Sequence, residues 1–589
     1  MGATVKYYNL TGGLNTVQGI GTINQSNKRT ESPDMKNVEY YKLGGLKSME
    51  GNTQFANTLP SQISLGFEYV YGNNKYMVVT TVDGTLYIYD KITNTFKEIF
   101  KFKTPTSRHS ICTFNNGIVV SNGVDDLLFY QYGRHNLLSG TITTTTENNS
   151  VTGTSTKFTT QLSVGDYIEI NSVKYKVIEI TSDTELRIEP TPTEAVTDSN
   201  YYLSDISELN AVYKNSDDPN ISKPVRGLAL QSYQGRIFVG GNDGILYYSE
   251  VGLIHGWDLK YGAGAIPSFY DDNSDFTAFG IWDKYLIICK RERSYILDGT
   301  NADTTNWTVS PYSDFTCDSQ QSWLVANNSF LVYTRTGGGI YPLLQRTIYN
   351  ANYQGNDLSV KVRDSFEYVN TAKFDYIFPV YAPKKKYIMF YIPMLMGVGS
   401  NYCFIFDMQS KTWLLRVVSQ DVTVAFRFNN EIYIGTKEGK VLKEFSSLTF
   451  DGQPIEWYWK SPWFSYGEGS NHLSTREFRI NIAEESTNRF HIRNRRDGKD
   501  TYNTRAVSNN LDSFIGLVWD VDNEENSLTD TTWDNDSWVT TSHIVKRFPL
   551  PKQYFQSTQI EFYGNAVDEG MSIYGFEIDG IQLEEVPWN

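Results

Sequence analysis

"DGTLYIYD", residues 83–90, follows directly on "NNKYMVVTTV" (73–82). Together they read as an apolar strand, an Asp-Gly turn and a second apolar strand. The same phrase returns as "QGRIFVGGNDGILYYSE" (234–250) and "NNEIYIGTKEGKVLKEF" (429–445). Looser copies are "NNGIVVSNGVDDLLFYQ" (115–131), "WDKYLIICKRERSYILDG" (282–299), "NNSFLVYTRTGGGIYPLL" (327–344) and "KKKYIMFYIPMLMGVGSNYCFIFD" (384–407). That makes about seven units, each with a polar or Gly-containing lead-in, a short apolar run, a turn and a second apolar run. Polar and apolar residues alternate imperfectly, as expected of strands buried on both faces.

The units start roughly 40–60 residues apart, with one gap of about 120, and a period of this size with several short strands per unit predicts a β-propeller. The expected fold is all-β, with six or seven blades, and the repeated phrase is read as the inner hairpin of each blade. "LYIYDKITNTFKEI" (86–99) and "CFIFDMQSKTWLLR" (403–416) share an ending of Asp, hydroxyl residue and aromatic. Asp and Thr/Ser side chains bond to the local backbone and make a tight turn, as at the ends of kelch-type blades.

The long gap holds an insertion. From Gly140 the sequence is Thr-rich and strongly alternating, and "VGDYIEINSVKYKVIEI" (164–180) reads as a hairpin with a tight Asn-Ser turn. Residues 140–203 are therefore expected to form a small β-barrel or sandwich, flanked by first blades at 56–139 and remaining blades at 204–450. The repeat stops near 450. Residues 451–589 read as an antiparallel β platform, and residues 1–55 as a segment packing against it.

Composition narrows the function. The chain has 589 residues and a net charge of −15. An acidic chain is a poor general binder of nucleic acid, because phosphate contacts need Lys and Arg. An acidic channel lining would still let DNA slide past without adhering. Cys112, Cys289, Cys317 and Cys403 form no CxxC pair, and the six histidines (109, 135, 255, 472, 491, 543) show no metal-ligand spacing. Cys112, Cys289 and Cys403 lie in apolar runs and read as buried free thiols. The start of the chain has neither a secretory pattern nor a persuasive acylation site, and no apolar run is long enough for a spanning helix.

No nucleophile elbow, phosphate loop or dinucleotide fingerprint occurs, and "GGG" (337–339) falls in a hairpin turn. "YDDNSD" (270–275) and "NSDDPN" (215–220) lack the Gly and distal Glu of a calcium loop and read as solvated turns. "IRNRRDGK" (492–499), with Arg493, Arg495, Arg496 and Lys499, reads as a solvated hairpin tip. "KRERS" (290–294) reads as a strand connection. Trp533 and Trp538 in "TTWDNDSW" suit strand packing or, alternatively, stacking on sugars.

The stretch "GGLNTVQGIGTINQSNKRTESPDMKNVEYYKLGGLKSMEGN" (12–52) resembles the opening of bacteriophage tail nozzle proteins, the packaged-DNA stabilisation family of short-tailed phages. Gly13, Leu14, Asn15, Asn37, Val38, Gly44 and Gly45 carry the resemblance. "RGLALQSYQGRIFVGGNDGILYYSEVGLIHGWD" (226–258), ending in Ser249 and Trp257-Asp258, resembles a later hairpin of that family. The insertion resembles a small β module of phage tail proteins. The resemblance implies a structural virion protein without catalytic residues, cofactor or metal. It implies a homo-oligomeric, usually hexameric, ring below the portal and adaptor, with possible contacts to tail fibres or a tip plug. DNA would pass through the lumen without sequence-specific binding. Assembly is expected in the host bacterial cytoplasm and residence in the virion tail. The alternative reading is a carbohydrate-binding or hydrolytic propeller of the tail.

Overall fold

The computed structural model describes residues 2–7, 9–17, 29–41, 44–215, 222–267, 269, 272–326, 329–335, 337–343, 357–465, 472–483, 489–496, 503–508, 543–549, 554–555, 557–567 and 571–583. The fold is all-β, 54% strand and 6% helix. Most strands belong to small antiparallel sheets in simple up-and-down order.

Seven of these sheets follow one another along the chain. The first contains Ile63–Tyr71, Asn74–Thr81, Thr85–Asp90 and Thr95–Lys101. The second begins with Ser110–Phe114, Gly117–Ser121 and Leu127–Tyr130 and is completed by Tyr202–Leu209. The third and fourth start with Ala229–Tyr233 and Phe276–Trp282. The fifth, from Trp323–Ala326, has three strands among the described residues. The sixth runs from Phe378–Ala382 to Thr412–Val417. The seventh contains Val422–Phe428, Glu431–Thr436, Val441–Glu444 and, as its fourth strand, Asn52–Phe55 from near the start of the chain.

The first strands meet in cyclic order. Contacts join sheets one to two, two to three, three to four, five to six, six to seven, and seven back to one. Sheets four and five meet where Gly280 lies against Phe330 and Trp323, so closely that a Cβ would come within 2.5 Å of the Phe330 ring. The core strands are buried along their whole length, as in Gly117–Ser121, Arg236–Gly240 and Tyr387–Ile392. Burial on both faces is what blurs their alternation in the sequence.

The quoted hairpins are the middle pair of each sheet, not the inner pair. Their polar lead-ins are themselves hairpin turns. Asn115-Asn116, Gln234-Gly235 and Asn429-Asn430 all have positive φ at both positions. That is the two-residue turn whose twist matches paired strands. A further strand must therefore precede each lead-in, and it is this strand that meets the neighbouring sheets.

The insertion leaves the second sheet after Tyr130 and returns at Tyr202. Its strands continue that sheet, since Asp166–Ile170 pairs with Tyr202–Leu209. Phe158, Ile168, Val177, Leu186, Ile188 and Tyr201 give it a core of its own. The Asn171-Ser172 turn has φ of 50° and 67°, the tight turn expected.

At the other end two sheets face each other. One orders His543–Pro549, His472–Ala483, Ser572–Leu583, Leu46–Ser48 and Val38–Tyr40. The other orders Met35–Lys36, Trp457–Lys460, Ser557–Gly564, Arg489–Arg496 and Asn503–Ser508. Aromatic rings fill the space between them: Trp459, Phe562, Phe576 and Phe478 lie with centroids 5.5–6.3 Å apart. Residues before 56 thus supply strands to both platform sheets, but Asn52–Phe55 belongs to the seventh sheet of the ring.

Two polar clusters hold this seam. Asn37, at φ 54°, donates its N–H to Leu415 O and its Nδ2 to Val417 O and Glu456 O, and accepts from Val417 N and Met49 N. Arg416 and Glu444 are an ion pair with no exposure on either side chain. Arg416 Nη1 also donates to Glu50 O at 2.6 Å, its guanidinium lies over the Phe445 and Phe450 rings, and Asn52 Nδ2 donates to Glu444. Removing one member strands a buried charge. Arg416→Met should lower stability by about 3–5 kcal/mol. The double change Arg416→Met/Glu444→Leu should recover most of that loss. Urea unfolding midpoints of the three proteins check both statements.

Candidate functional site

In an up-and-down sheet the connections alternate between two ends. Six of the seven first strands, or the segments that lead into them, gather around one cavity at one end of the ring. Ser64, Arg108, His109, Ser110, Leu228, Gln320, Gln321, Asp375, Tyr376 and Thr423 meet there around a cavity of about 20 Å³. Such a space admits a water molecule or two and excludes a sugar ring.

Gln321 closes this end. It reaches from the connection before the fifth sheet and donates through Nε2 to Ser64 O and His109 O, both at 3.2 Å. It thereby ties the first and second sheets to the far side of the ring. Its neighbour Gln320 pairs with the Phe279 backbone, accepting from N at 2.8 Å and donating to O at 2.7 Å. Thr423 Oγ1 donates to Ile63 O, which joins the seventh sheet to the first. Arg108 forms an ion pair with Asp375 and lies over the Tyr376 ring. These side chains link sheets across the axis and leave little open space.

His109 is 1% exposed, and Nδ1 lies 2.8 Å from Ser64 Oγ. Burial drives its pKa down to about 4, against a weak opposing pull from Asp83. The unfolded chain therefore takes up this proton at higher pH than the folded chain. The stability it contributes is complete above about pH 6.5 and is lost as pH falls toward 4, on the order of 3 kcal/mol. His109→Gln should flatten that part of the stability profile between pH 7 and pH 4, as read by denaturant midpoints.

A serine, an aspartate and a histidine also meet at the insertion. Ser207 Oγ donates to Asp166 Oδ1 at 2.5 Å, and His255 Nε2 lies 3.2 Å from the same oxygen. The order is Ser–Asp–His, so the imidazole does not reach the hydroxyl it would have to deprotonate. Ser207 is fully buried and also accepts from Arg134 Nη2. Asp166 takes a further bond from Ser163 N. Its burial raises the carboxyl pKa, but His255 and these donors hold it below the usual carboxylate range. The group fastens the insertion to the second sheet and to the His255 connection of the third.

The residues singled out in the sequence are placed as follows. All four cysteines are buried and none is in a disulfide. Asp90 and Asp407 make the expected turns, accepting from Ile92 N and Thr93 Oγ1, and from Gln409 N and Ser410 Oγ. Asp272 accepts from Ser274 N and Oγ and from the Tyr295 hydroxyl, so protein groups occupy it. Within 290–294, Lys290 is 1% exposed, lies between the Phe269 and Phe276 rings and donates to Asp272 O. Arg291 and Arg293 face Asp275 and Asp314.

Arg493, Arg495 and Arg496 are not a solvated hairpin tip. They lie within the strand Arg489–Arg496, where Arg493 sits 3.6 Å from the centre of the Tyr563 ring and 3.6 Å from Glu561. Alternation along the strand buries Asn494 and Arg496. Lys499, Trp533, Trp538 and residues 216–220 lie outside the described residues. The axial residues were not anticipated. Their one signal is positional: "SRHS" (107–110) and "DSQQS" (318–322) are short polar runs just ahead of first strands.

No family model and no curated protein matches the sequence. Solved structures that superpose in part include the computationally designed Ika8 protein, at 12% identity, 67% of this chain, 100% of that chain and TM-score 0.33. Others are the WD40 propeller domain of Doa1 (9%, 67% and 96%, TM-score 0.31) and BamB from Moraxella catarrhalis (9%, 69% and 93%, TM-score 0.29). At that level of superposition they decide nothing about the activity of this chain.

Proposed function

We propose that the chain is a seven-bladed β-propeller with an inserted β module and a C-terminal β platform, and that copies of it form the tail nozzle of a short-tailed bacteriophage. The cyclic contacts of the seven first strands support the propeller reading. The observation that carries the functional reading is where the resemblance residues sit. Gly13, at φ 82°, lies against Thr412 and Trp413, where a Cβ would come within 2.6 Å of Thr412. Leu14 and Val38 are core residues, and Asn15 Nδ2 donates to Glu31 at 2.6 Å. Asn37 bonds the sixth sheet, and Gly45 leaves no room for a side chain beside Ile573 O. The stretch that carries the resemblance thus encodes the seam between ring and platform. A resemblance written in such positions is one of architecture, which is what an assembly component has to preserve.

Further residues of the resemblance fit the same pattern. Ser249 Oγ accepts from Ile237 N, Trp257 is 2% exposed, and Asp258 caps a short turn through Lys260 N. The axis of a single chain is closed by Gln321 and its neighbours, far too narrow for a duplex. In this reading the DNA lumen lies between copies, closed by repeated heterologous contacts. The net charge of −15 suits a lumen that does not hold phosphates. The platform and seam are the proposed docking side for the adaptor, and the insertion an outward ornament.

Antibody raised against residues 141–199 and imaged on purified phage particles tests the reading. Label on the tail, at about six copies per particle, is expected of a closed ring. Particles without label, with the chain recovered only from lysate, would contradict it.

A further inference from the structure

We propose that Cys289 and Cys317 are a modification site: a small-molecule disulfide oxidant joins them in an intramolecular disulfide that fastens the axial connection to the fourth sheet. Cys289 lies on Tyr285–Lys290, the second strand of that sheet. Cys317 lies on the connection that delivers Gln320 and Gln321 to the axis. Both are fully buried in one apolar cluster with Ala278, Ile287, Tyr312 and Phe330. The connection that carries Cys317 runs beside the strand that carries Cys289, with the Thr277 hydroxyl on the carbonyl oxygens of both.

The backbone around them is already stitched. Thr277 Oγ1 donates to Cys317 O at 2.6 Å and lies 3.2 Å from Cys289 O. Thr316 Oγ1 donates to Lys290 O at 2.6 Å, and Ser294 Oγ to Phe315 O at 2.9 Å. These bonds hold residues 315–317 alongside 289–290 and 294, which sets the two cysteines side by side in one cluster. Cys112 and Cys403 belong to other clusters, which makes the pairing exclusive.

The two thiols act in turn. One loses its proton and, as a thiolate, displaces one thiolate from the reagent disulfide to form a mixed disulfide. The other then loses its proton and attacks the protein sulfur of that mixed disulfide, expelling the second reagent thiolate. The protein loses two protons and two electrons, and the reagent leaves as two thiols. Both sulfurs are buried, so the exchange in either direction needs the packing around them to open.

Alkylation counts on the full chain test this. Under denaturing conditions the reduced protein carries four alkyl groups, one per cysteine. After treatment with glutathione disulfide it should carry two, with a peptide joining 289 to 317, a mass loss of about 2 Da and a raised melting temperature that reductant reverses. Cys289→Ser and Cys317→Ala should each carry three before treatment and form no protein disulfide after it, the remaining thiol of the pair being alkylated or left as a mixed disulfide with glutathione that no second thiol expels. The oxidation is repeated in urea below the unfolding transition, so that a closed fold cannot shut the reagent out. Four alkyl groups after both treatments, or a bond that engages Cys112 or Cys403, would overturn the proposal.

Discussion

The pairing of Asn52–Phe55 with Val441–Glu444 is the constraint on which the rest of the structure depends. A chain of small sheets has two open ends, and each end exposes a strand edge and an apolar face. Contact between the seventh and first sheets buries those faces. Bringing them together costs loop-closure entropy, which grows only slowly with the length enclosed. The early strand repays that cost by covering the outer edge of the last sheet. The same stretch of chain, a few residues earlier, supplies Val38–Tyr40, Leu46–Ser48 and Met35–Lys36 to the platform. Ring and platform are thus held by one continuous segment, and neither is complete without it.

Polar groups at this seam act where apolar packing alone would leave choices open. Glu39 is 2% exposed and meets Lys47 and Lys385, each at 3.0 Å, and the Tyr387 hydroxyl. Burial pushes its carboxyl pKa up, and the two ammonium groups more than offset this, leaving it below the ordinary value. The Arg416–Glu444 pair is more deeply buried still. Pairs of this kind add little net stability over an apolar replacement, but they penalise every arrangement that leaves one charge alone. Here they fix which edge the early strand must take. The axial side chains do related work at the other side of the ring, where Gln321 bonds two sheets from the far side of the axis.

The sequence made the all-β class readable, because apolar runs separated by Asn-Asn, Gln-Gly and Asp-Gly turns can be little else. Strand assignment within each unit was harder. The lead-in turn and the Asp-Gly turn are both hairpin signals, and the phrase was naturally read from the better-marked one. The first strands, such as Val422–Phe428, follow polar connections and carry no repeated phrase. The fourth strand of the seventh sheet was hidden for a physical reason. "NTQF" (52–55) is short, half polar and at an outer edge, and its partner is nearly 400 positions away, so nothing local marks the pairing. The axial glutamines and the Arg416–Glu444 pair escaped for the same reason, since hydrogen bonding has no periodicity. Arg493–Arg496 misled because a run of basic residues resembles a solvated tip, while strand alternation and the Tyr563 ring accommodate it in a sheet.

Hydrogen exchange read residue by residue tests the central claim that an early strand closes the ring. The amides of residues 52–55 that pair with Val441–Glu444 should exchange only with the global opening of the first strands, at the same rate as Ile63–Tyr71 and Val422–Phe428. Exchange of residues 52–55 in step with the exposed turns, while those first strands stay protected, would show that the ring stands without this strand and would contradict the account.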